Sequence, residues 1–200
     1  KKFFVDENVL IPRPETEELV ELAKIEIQNL KSKIQNLKLL DIGTGSGIIP
    51  ITLKKHLPNA EISAIDISEK ALEIAKKNAE FHQANIQFIQ QDYLNTKLEE
   101  NYDIIISNPP YIGIEENIEI EDSVKGFEPN IALFSPTSDA LIFYKKIAKD
   151  GEKYLNENGM IFLEINQKLG KETLELFSNY SESRLIKDLS GNDRFVLAKK

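Results

Sequence analysis

A mostly parallel, doubly wound α/β sheet with helices on both faces is the fold class that this 200-residue chain predicts, on three observations. Short apolar runs alternate with helix-periodic segments, the pattern of successive βα units. A Gly-rich turn, Gly43-Thr44-Gly45-Ser46-Gly47, leads from the first core run into a helix. Polar residues suited to ligand binding then recur just past successive apolar runs, at the edge where an open parallel sheet gathers its site.

The opening, Phe3 to Pro12, reads as extended. Pro14 suits the first position of a helix, and Glu15, Glu17 and Glu18 are favourable at its positive end. Leu19, Val20, Leu22, Ala23, Ile25 and Ile27 supply its apolar stripe. Ile27-Gln28-Asn29-Leu30-Lys31 recurs as Ile34-Gln35-Asn36-Leu37-Lys38, one echo that falls short of a repeat architecture and reads as the helix end and a linker. Residues 1–37 thus lead into a core of residues 38–200. Strands are predicted near 38–42, 61–66, 86–90, 102–107, 159–165 and 194–198, with a short one near 185–188. Helices are predicted near 47–56, 69–82, 138–156 and 168–178.

Composition narrows the function. The length fits one domain, with 41% hydrophobic and 29% charged residues, as in ordinary globular chains. No apolar stretch approaches the ~20 residues of a membrane span, and no secretory signal is visible. These readings point to a cytoplasmic protein. Cysteine is absent, so disulfides and thiolate metal sites are excluded. His56 and His82 lie far apart among polar neighbours and read as surface residues on helices, so neither a metal site nor Ser-His-Asp or Cys-His catalysis is expected. A net charge of −8 disfavours broad binding to phosphate backbones. The chain starts at Lys1 without a methionine and reads as a fragment.

The most informative stretch is Asn108-Pro109-Pro110-Tyr111, which ends the run Tyr102 to Ser107. Two prolines remove two backbone donors and fix two φ angles, and Pro109 holds Asn108 extended. The result is a rigid, carbonyl-rich loop at a strand's carboxyl end. The Asn108 side chain and the Pro109 carbonyl offer two oxygen acceptors, and Tyr111 a flat ring, a constellation suited to a planar –NH2 group. A plain Pro-rich turn has the same local sequence. Upstream, the G-x-G-x-G spacing differs from the dinucleotide G-x-G-x-x-G and lacks the Lys-Ser/Thr ending of a phosphate loop. The run Glu61 to Asp66 ends in an acid about twenty residues past the glycines, where nucleoside-binding folds place the acceptor for ribose hydroxyls. A lone Gly-rich turn is equally an ordinary tight βα connection. Glycines, strand-end acid and Asn-Pro-Pro-Tyr in that order point together to a nucleoside-type ligand. Gly113 to Ser138 lacks periodicity, and loops of such length inside a compact domain are usually functional or disordered. From Asn108 to Phe134 six acids face the single base Lys125, a surface that attracts a basic peptide or protein, or is a solvated loop without a partner.

These motifs resemble those of class I S-adenosylmethionine-dependent methyltransferases, whose core is Rossmann-like. More narrowly, the chain is similar to the release factor glutamine methyltransferase family, through Val9 to Glu17, Asp41 to Gly47, Ser107 to Ile112 and Glu128 to Phe134. Asn-Pro-Pro-Tyr is shared with amino-methyltransferases acting on nucleobases. Pro-Arg-Pro-Glu-Thr-Glu and Glu-Pro-x-x-Ala-Leu-Phe single out the glutamine family. The resemblance covers nearly the whole chain, with two departures: the family's helical amino-terminal domain is missing, and Asp139-Ala140 stands where Asp-Gly is typical.

The resemblance implies a catalytic domain over residues 38–200 that moves a methyl group from S-adenosylmethionine, leaving S-adenosylhomocysteine. The acceptor is the side-chain amide nitrogen of the glutamine in the Gly-Gly-Gln motif of class I peptide-chain release factors. It places Gly43, Thr44, Gly45, Ser46 and Gly47 against the methionine part of the cofactor, Asp66 on the ribose, and Asp92 and Tyr93 beside the adenine. Asn108 adjoins the cofactor and, with Pro109, Pro110 and Tyr111, forms the catalytic loop. Arg13 and Thr16 lie near the cofactor or the pocket mouth, with a surface ion pair as the other role open to Arg13. The implied chemistry aligns a poorly nucleophilic amide nitrogen with an electrophilic methyl group. Acceptors at Asn108 and Pro109 favour the positive charge that grows on nitrogen, with no strong base required. The expected partner is a release factor bound by a monomer, without stable nucleic-acid binding. The competing readings are a methyltransferase acting on the exocyclic amine of adenine or guanine, and a non-catalytic cofactor-binding module.

Overall fold

The computed structural model describes residues 2–31, 36–110 and 139–200. Pro14 opens α1 (Pro14–Lys31), with Glu15 and Glu17 in its first turn. β1 (Lys38–Ile42) feeds the Gly-rich turn and α2 (Ile48–His56). β2 (Glu61–Asp66) is followed by α3 (Glu69–His82), whose N-cap Ser68 accepts a hydrogen bond from the Ala71 N–H. Then come β3 (Gln87–Gln90), β4 (Tyr102–Ser107), α4 (Ile142–Tyr154) and β5 (Leu155–Glu164). A 3-10 turn (Gln167–Leu169), α5 (Gly170–Glu175), β6 (Glu182–Lys187) and β7 (Asp193–Lys199) complete the chain.

The seven strands form one sheet in the order β3-β2-β1-β4-β5-β7-β6. Pairing is parallel from β3 through β5, whereas β7 runs antiparallel to both of its neighbours. The order reverses between β1 and β4, the switch point at which such sheets bind ligands. Successive residues of the central strands point to opposite faces. Leu39, Ile104, Ile106 and Phe162 therefore pack with Leu19, Ala23 and Ile27 of α1 and Leu53 of α2. Leu40, Ile42, Ile105, Ile161 and Leu163 pack with Tyr144 and Ile147 of α4 and with Phe177. Every residue of β4 is buried, as a strand covered on both faces requires.

The expected elements are present with shifted ends. β5 starts at Leu155 rather than 159, because the pairing with β4 skips from Leu155 opposite Tyr102 to Met160 opposite Ile104. Asn158, at φ 62, takes up that irregularity. The helix expected over 168–178 is divided: Asn166 caps the 3-10 turn by accepting from Lys168 N–H, and α5 then tightens beyond Glu175 into i→i+3 bonds such as Phe177 N–H to Leu174 O (3.0 Å). Both histidines lie on helices, as expected, but are half-buried rather than surface residues, His82 packing on Phe3 and Phe81.

Candidate active site

β1 ends at Ile42 opposite Ile65, one residue before β2 ends, and this register shapes the Gly-rich turn. The Ile65 carbonyl accepts from both Gly43 N–H (2.9 Å) and Thr44 N–H (3.1 Å), and Gly47 N–H closes the turn onto Thr44 O (2.9 Å). Asp66 braces it from the next strand: Oδ2 accepts from Gly45 N–H and Oδ1 from Ser68 N–H, each at 2.9 Å. Burial pushes the Asp66 carboxyl up, while backbone donors of Ser68, Gly45 and Ile67 pull it back. Gly45 sits at φ +52, and a Cβ there would meet nothing within 4 Å, so this backbone faces open space. Gly47, at φ +79, is different: a Cβ would lie 3.1 Å from the Ala75 Cβ and 3.3 Å from its Cα, on α3. Gly47→Ala combines left-handed strain with that contact and is expected to cost about 2 kcal/mol. A thermal melt reads this as a Tm drop of about 4–8 °C.

The other wall comes from β4. Ile42 pairs with Ser107, whose Oγ donates to the Ile42 carbonyl at 2.7 Å. The chain leaving β4 is thereby fixed beside the Gly-rich turn. Asn108 and Pro110 reach the cavity between them, and Pro109 is buried. Tyr111, Gly113 to Ser138 and the Glu128 to Phe134 stretch lie outside the described residues. The Asn108 Nδ2 donates to Thr16 Oγ1 (3.0 Å), and the Thr16 hydroxyl donates to Glu164 Oε2 (2.8 Å). Thr16 is 4% exposed and Glu164 2%. Burial pushes the Glu164 carboxyl up to about 7, against the Thr16 hydrogen bond and the charges of Arg194 and Arg13. Arg13 is half-buried.

Past β3, the Asp92 carboxylate organises its own turn, Oδ1 accepting from Leu94 N–H (3.1 Å) and Oδ2 from Asn95 Nδ2 (2.7 Å). Tyr93 is buried in the core on the α4 face, with Lys146 Nζ 4.7 Å from its ring centroid. Burial and the nearby Asp150 carboxylate push its hydroxyl up. Both residues line the same cavity, of about 1270 Å³, as do Gly43, Thr44, Gly45, Ser46, Asp66, Asn108 and Pro110. Gly47 and Pro109 are not among its lining residues.

Two supporting residues escape a reading of the sequence, Asn78 and Glu164. Asn8, Val9, Leu10 and Pro12 supply a wall from the extended segment ahead of α1. Asn78, fully buried on α3, holds that segment: its Oδ1 accepts from Phe4 N–H (2.7 Å), and its Nδ2 donates to Phe4 O and to Ser46 O (both 2.9 Å). Glu164 is the second. Its only signal is an acid ending the otherwise apolar run Met160 to Leu163.

S-adenosylmethionine is a cationic nucleoside derivative, and the site suits it. Gly43 and Gly45 open their backbone toward a ligand, Asp66 presents acceptors, and the cavity is long enough to continue past Asp92. A buried carboxyl also lies beneath the turn: Asp41 is fully buried, and burial pushes it up to about 7 against the pull of the Thr44 side chain. A cation nearby favours its ionised form. Among the described residues no cluster of His, Asp or Glu is arranged to hold a metal ion.

Comparison with known proteins agrees with this geometry. The family model of the methyltransferase small domain matches residues 21–123. The ribosomal protein L11 methylase of Lactobacillus delbrueckii subsp. bulgaricus shares the fold, with a TM-score of 0.63 at 21% identity over 94% of this chain and 80% of that one. The release factor glutamine methyltransferase of Flavobacterium psychrophilum is 52% identical over 198 residues, 97% of this chain and 69% of the relative. That of Lactococcus lactis subsp. lactis is 45% identical over 201 residues, 99% of this chain and 72% of the relative. With such identity along nearly its whole length, and with the Gly-rich turn, strand-end acid and Asn-Pro-Pro loop brought to one cavity, the chain belongs to the release factor glutamine methyltransferase family.

Proposed function

We propose that this protein methylates the side-chain amide nitrogen of the glutamine in the Gly-Gly-Gln motif of a class I release factor, and so acts in translation termination. When bound, S-adenosylmethionine supplies an electrophilic methyl group on sulfonium sulfur. The observation that carries the reading is the placement of Asn108 beside the Gly-rich turn, in one cavity with Asp66. In this reading the Asn108 Oδ1 and the Pro109 carbonyl accept the two N–H groups of the glutamine amide and orient its nitrogen. The same acceptors favour the positive charge that develops as the N–C bond forms. Tyr111 covers the amide's face. Asp66 takes the ribose hydroxyls, and Asp92 and Tyr93 hold the adenine end. The proton of the methylated nitrogen passes to solvent after transfer.

The protein is taken to act as a monomer in the cytoplasm, without stable nucleic-acid binding. The net charge of −8 supports the last point. Among the described residues no helix is long and apolar enough to cross a membrane. The test is incubation with S-adenosylmethionine and a purified class I release factor, followed by peptide mass spectrometry. A single methyl group on the Gly-Gly-Gln glutamine is the expected result. Methyl groups found instead on a nucleic-acid substrate offered in parallel would sink the reading.

A further inference from the structure

We infer that Glu164 and Thr16 are positioning residues that decide which face of the Asn108 amide meets the substrate. A threonine hydroxyl has one hydrogen to give. Thr16 gives it to Glu164 Oε2 at 2.8 Å, so toward Asn108 it has only lone pairs. Asn108 must then turn its –NH2 to Thr16, as it does at 3.0 Å, and its Oδ1 is left to accept from another group. An accepting oxygen is what a planar –NH2 substrate needs. The relay joins residues 148 positions apart through a hydroxyl that is itself buried, so water does not substitute for its members.

The polarity of this chain depends on the charge of Glu164. Protonated, Glu164 can donate to Thr16 Oγ1, and the Thr16 hydrogen is freed to point at Asn108. The amide can then present its –NH2 to the substrate, donor against donor. Among the described residues, the groups around Glu164 are Arg13, Glu15 and Thr16 at the start of α1 and Arg194 on β7; Tyr144 of α4 donates its hydroxyl to the Glu164 carbonyl oxygen at 3.3 Å. Arg194 also bonds Asp188 through Nε at 3.1 Å. Both arginines favour the ionised form, while burial and Glu15 oppose it, leaving the carboxyl at about 7. The competent form is the ionised one. Turnover attributable to the relay is therefore full above that value and lost as pH falls through it.

The inference rests on the proposed methyl transfer, and two readouts separate the two. The first needs no substrate: the side-chain amide resonances of Asn108 in 15N-asparagine-labelled protein are followed from pH 5.5 to 8.5, a range of about 1.5 units either side of neutral. They are expected to shift with a midpoint near 7 in the wild type and to stay fixed in Glu164→Gln. Resonances that do not move, or move alike in Glu164→Gln, overturn the relay whatever the substrate is. The second is kcat against pH with a release factor at saturating S-adenosylmethionine. Thr16→Val is expected to lower kcat about tenfold, with Thr16→Ser recovering most of the loss. Glu164→Gln should remove the relay's acid limb. An unchanged limb in Glu164→Gln, or undiminished kcat in Thr16→Val, overturns the inference. A wild type that methylates no release factor overturns the proposed function alone, because the amide titration still reads the relay.

Discussion

Asn108→Ala is expected to lower kcat by about 10²–10³-fold, the scale on which loss of one preorganised polar contact to a developing charge is felt. In the proposed reading the substitution removes the side-chain acceptor that orients the substrate amide. It should leave cofactor affinity within about threefold, since the bonds that shape the cradle run between Gly43, Thr44, Gly45, Gly47, Ile65 and Asp66 and none involves Asn108. The fold is spared too: the Thr16 hydroxyl keeps Glu164 as its partner, so no buried donor is stranded. Single-turnover methylation with calorimetry on the same sample is the measurement. Near-normal turnover would show that the Asn108 oxygen is not the acceptor.

Asp66→Ala is expected to act on the opposite side of the reaction, weakening cofactor binding about 10²-fold by removing contacts made to a charged acceptor. Two effects combine. In the proposed reading the ribose loses its acceptor, and Gly45 N–H and Ser68 N–H lose the carboxylate that ties turn to strand. Asp66→Asn separates them: its amide oxygen can still serve one of the two backbone donors, while its –NH2 faces the other, donor against donor. The expected order of affinity is wild type, then Asn, then Ala. At saturating cofactor, kcat should fall far less than affinity. Equal dissociation constants for wild type and Asp66→Ala would remove the ribose assignment.

The fold was legible because its signals are local. Alternating apolar runs, Pro14 at a helix start, the glycines and the Asn-Pro-Pro stop each announce themselves within a few residues, and the structure places each where its local chemistry requires. Ends were less legible where tertiary pairing overrides propensity, as where β5 begins four residues early to pair Leu155 with Tyr102. At the site, the strand-end residues Asp66, Asp92 and Asn108 converge on one cavity because parallel strands carry their carboxyl ends to the same edge. The relay to Glu164 was hidden for a different reason. Thr16 stands out through the Pro-Arg-Pro-Glu-Thr-Glu stretch, but Glu164 carries no pattern of its own, and what joins them is a contact across 148 positions. Asn78 is similar: an asparagine within an amphipathic helix reads as surface, yet it is fully buried and bonds backbone on two separate segments.

The strand order has a consequence for how the molecule assembles. β7 follows β6 in sequence but lies between it and β5, so β6 has no place in the sheet until β7 has arrived. Until then β5, with its apolar residues Met160 to Leu163, is an open edge of the kind that recruits other chains. The same strand delivers Arg194, whose charge steadies the Glu164 carboxylate, and whose carbonyl receives the Ile165 N–H at 2.9 Å. The charge that favours ionised Glu164 is therefore tied to closure of the β5 edge by β7. The Gly-rich turn and Asp66 are built without β7, whereas the relay behind Asn108 draws on a charge from the strand that seals the sheet.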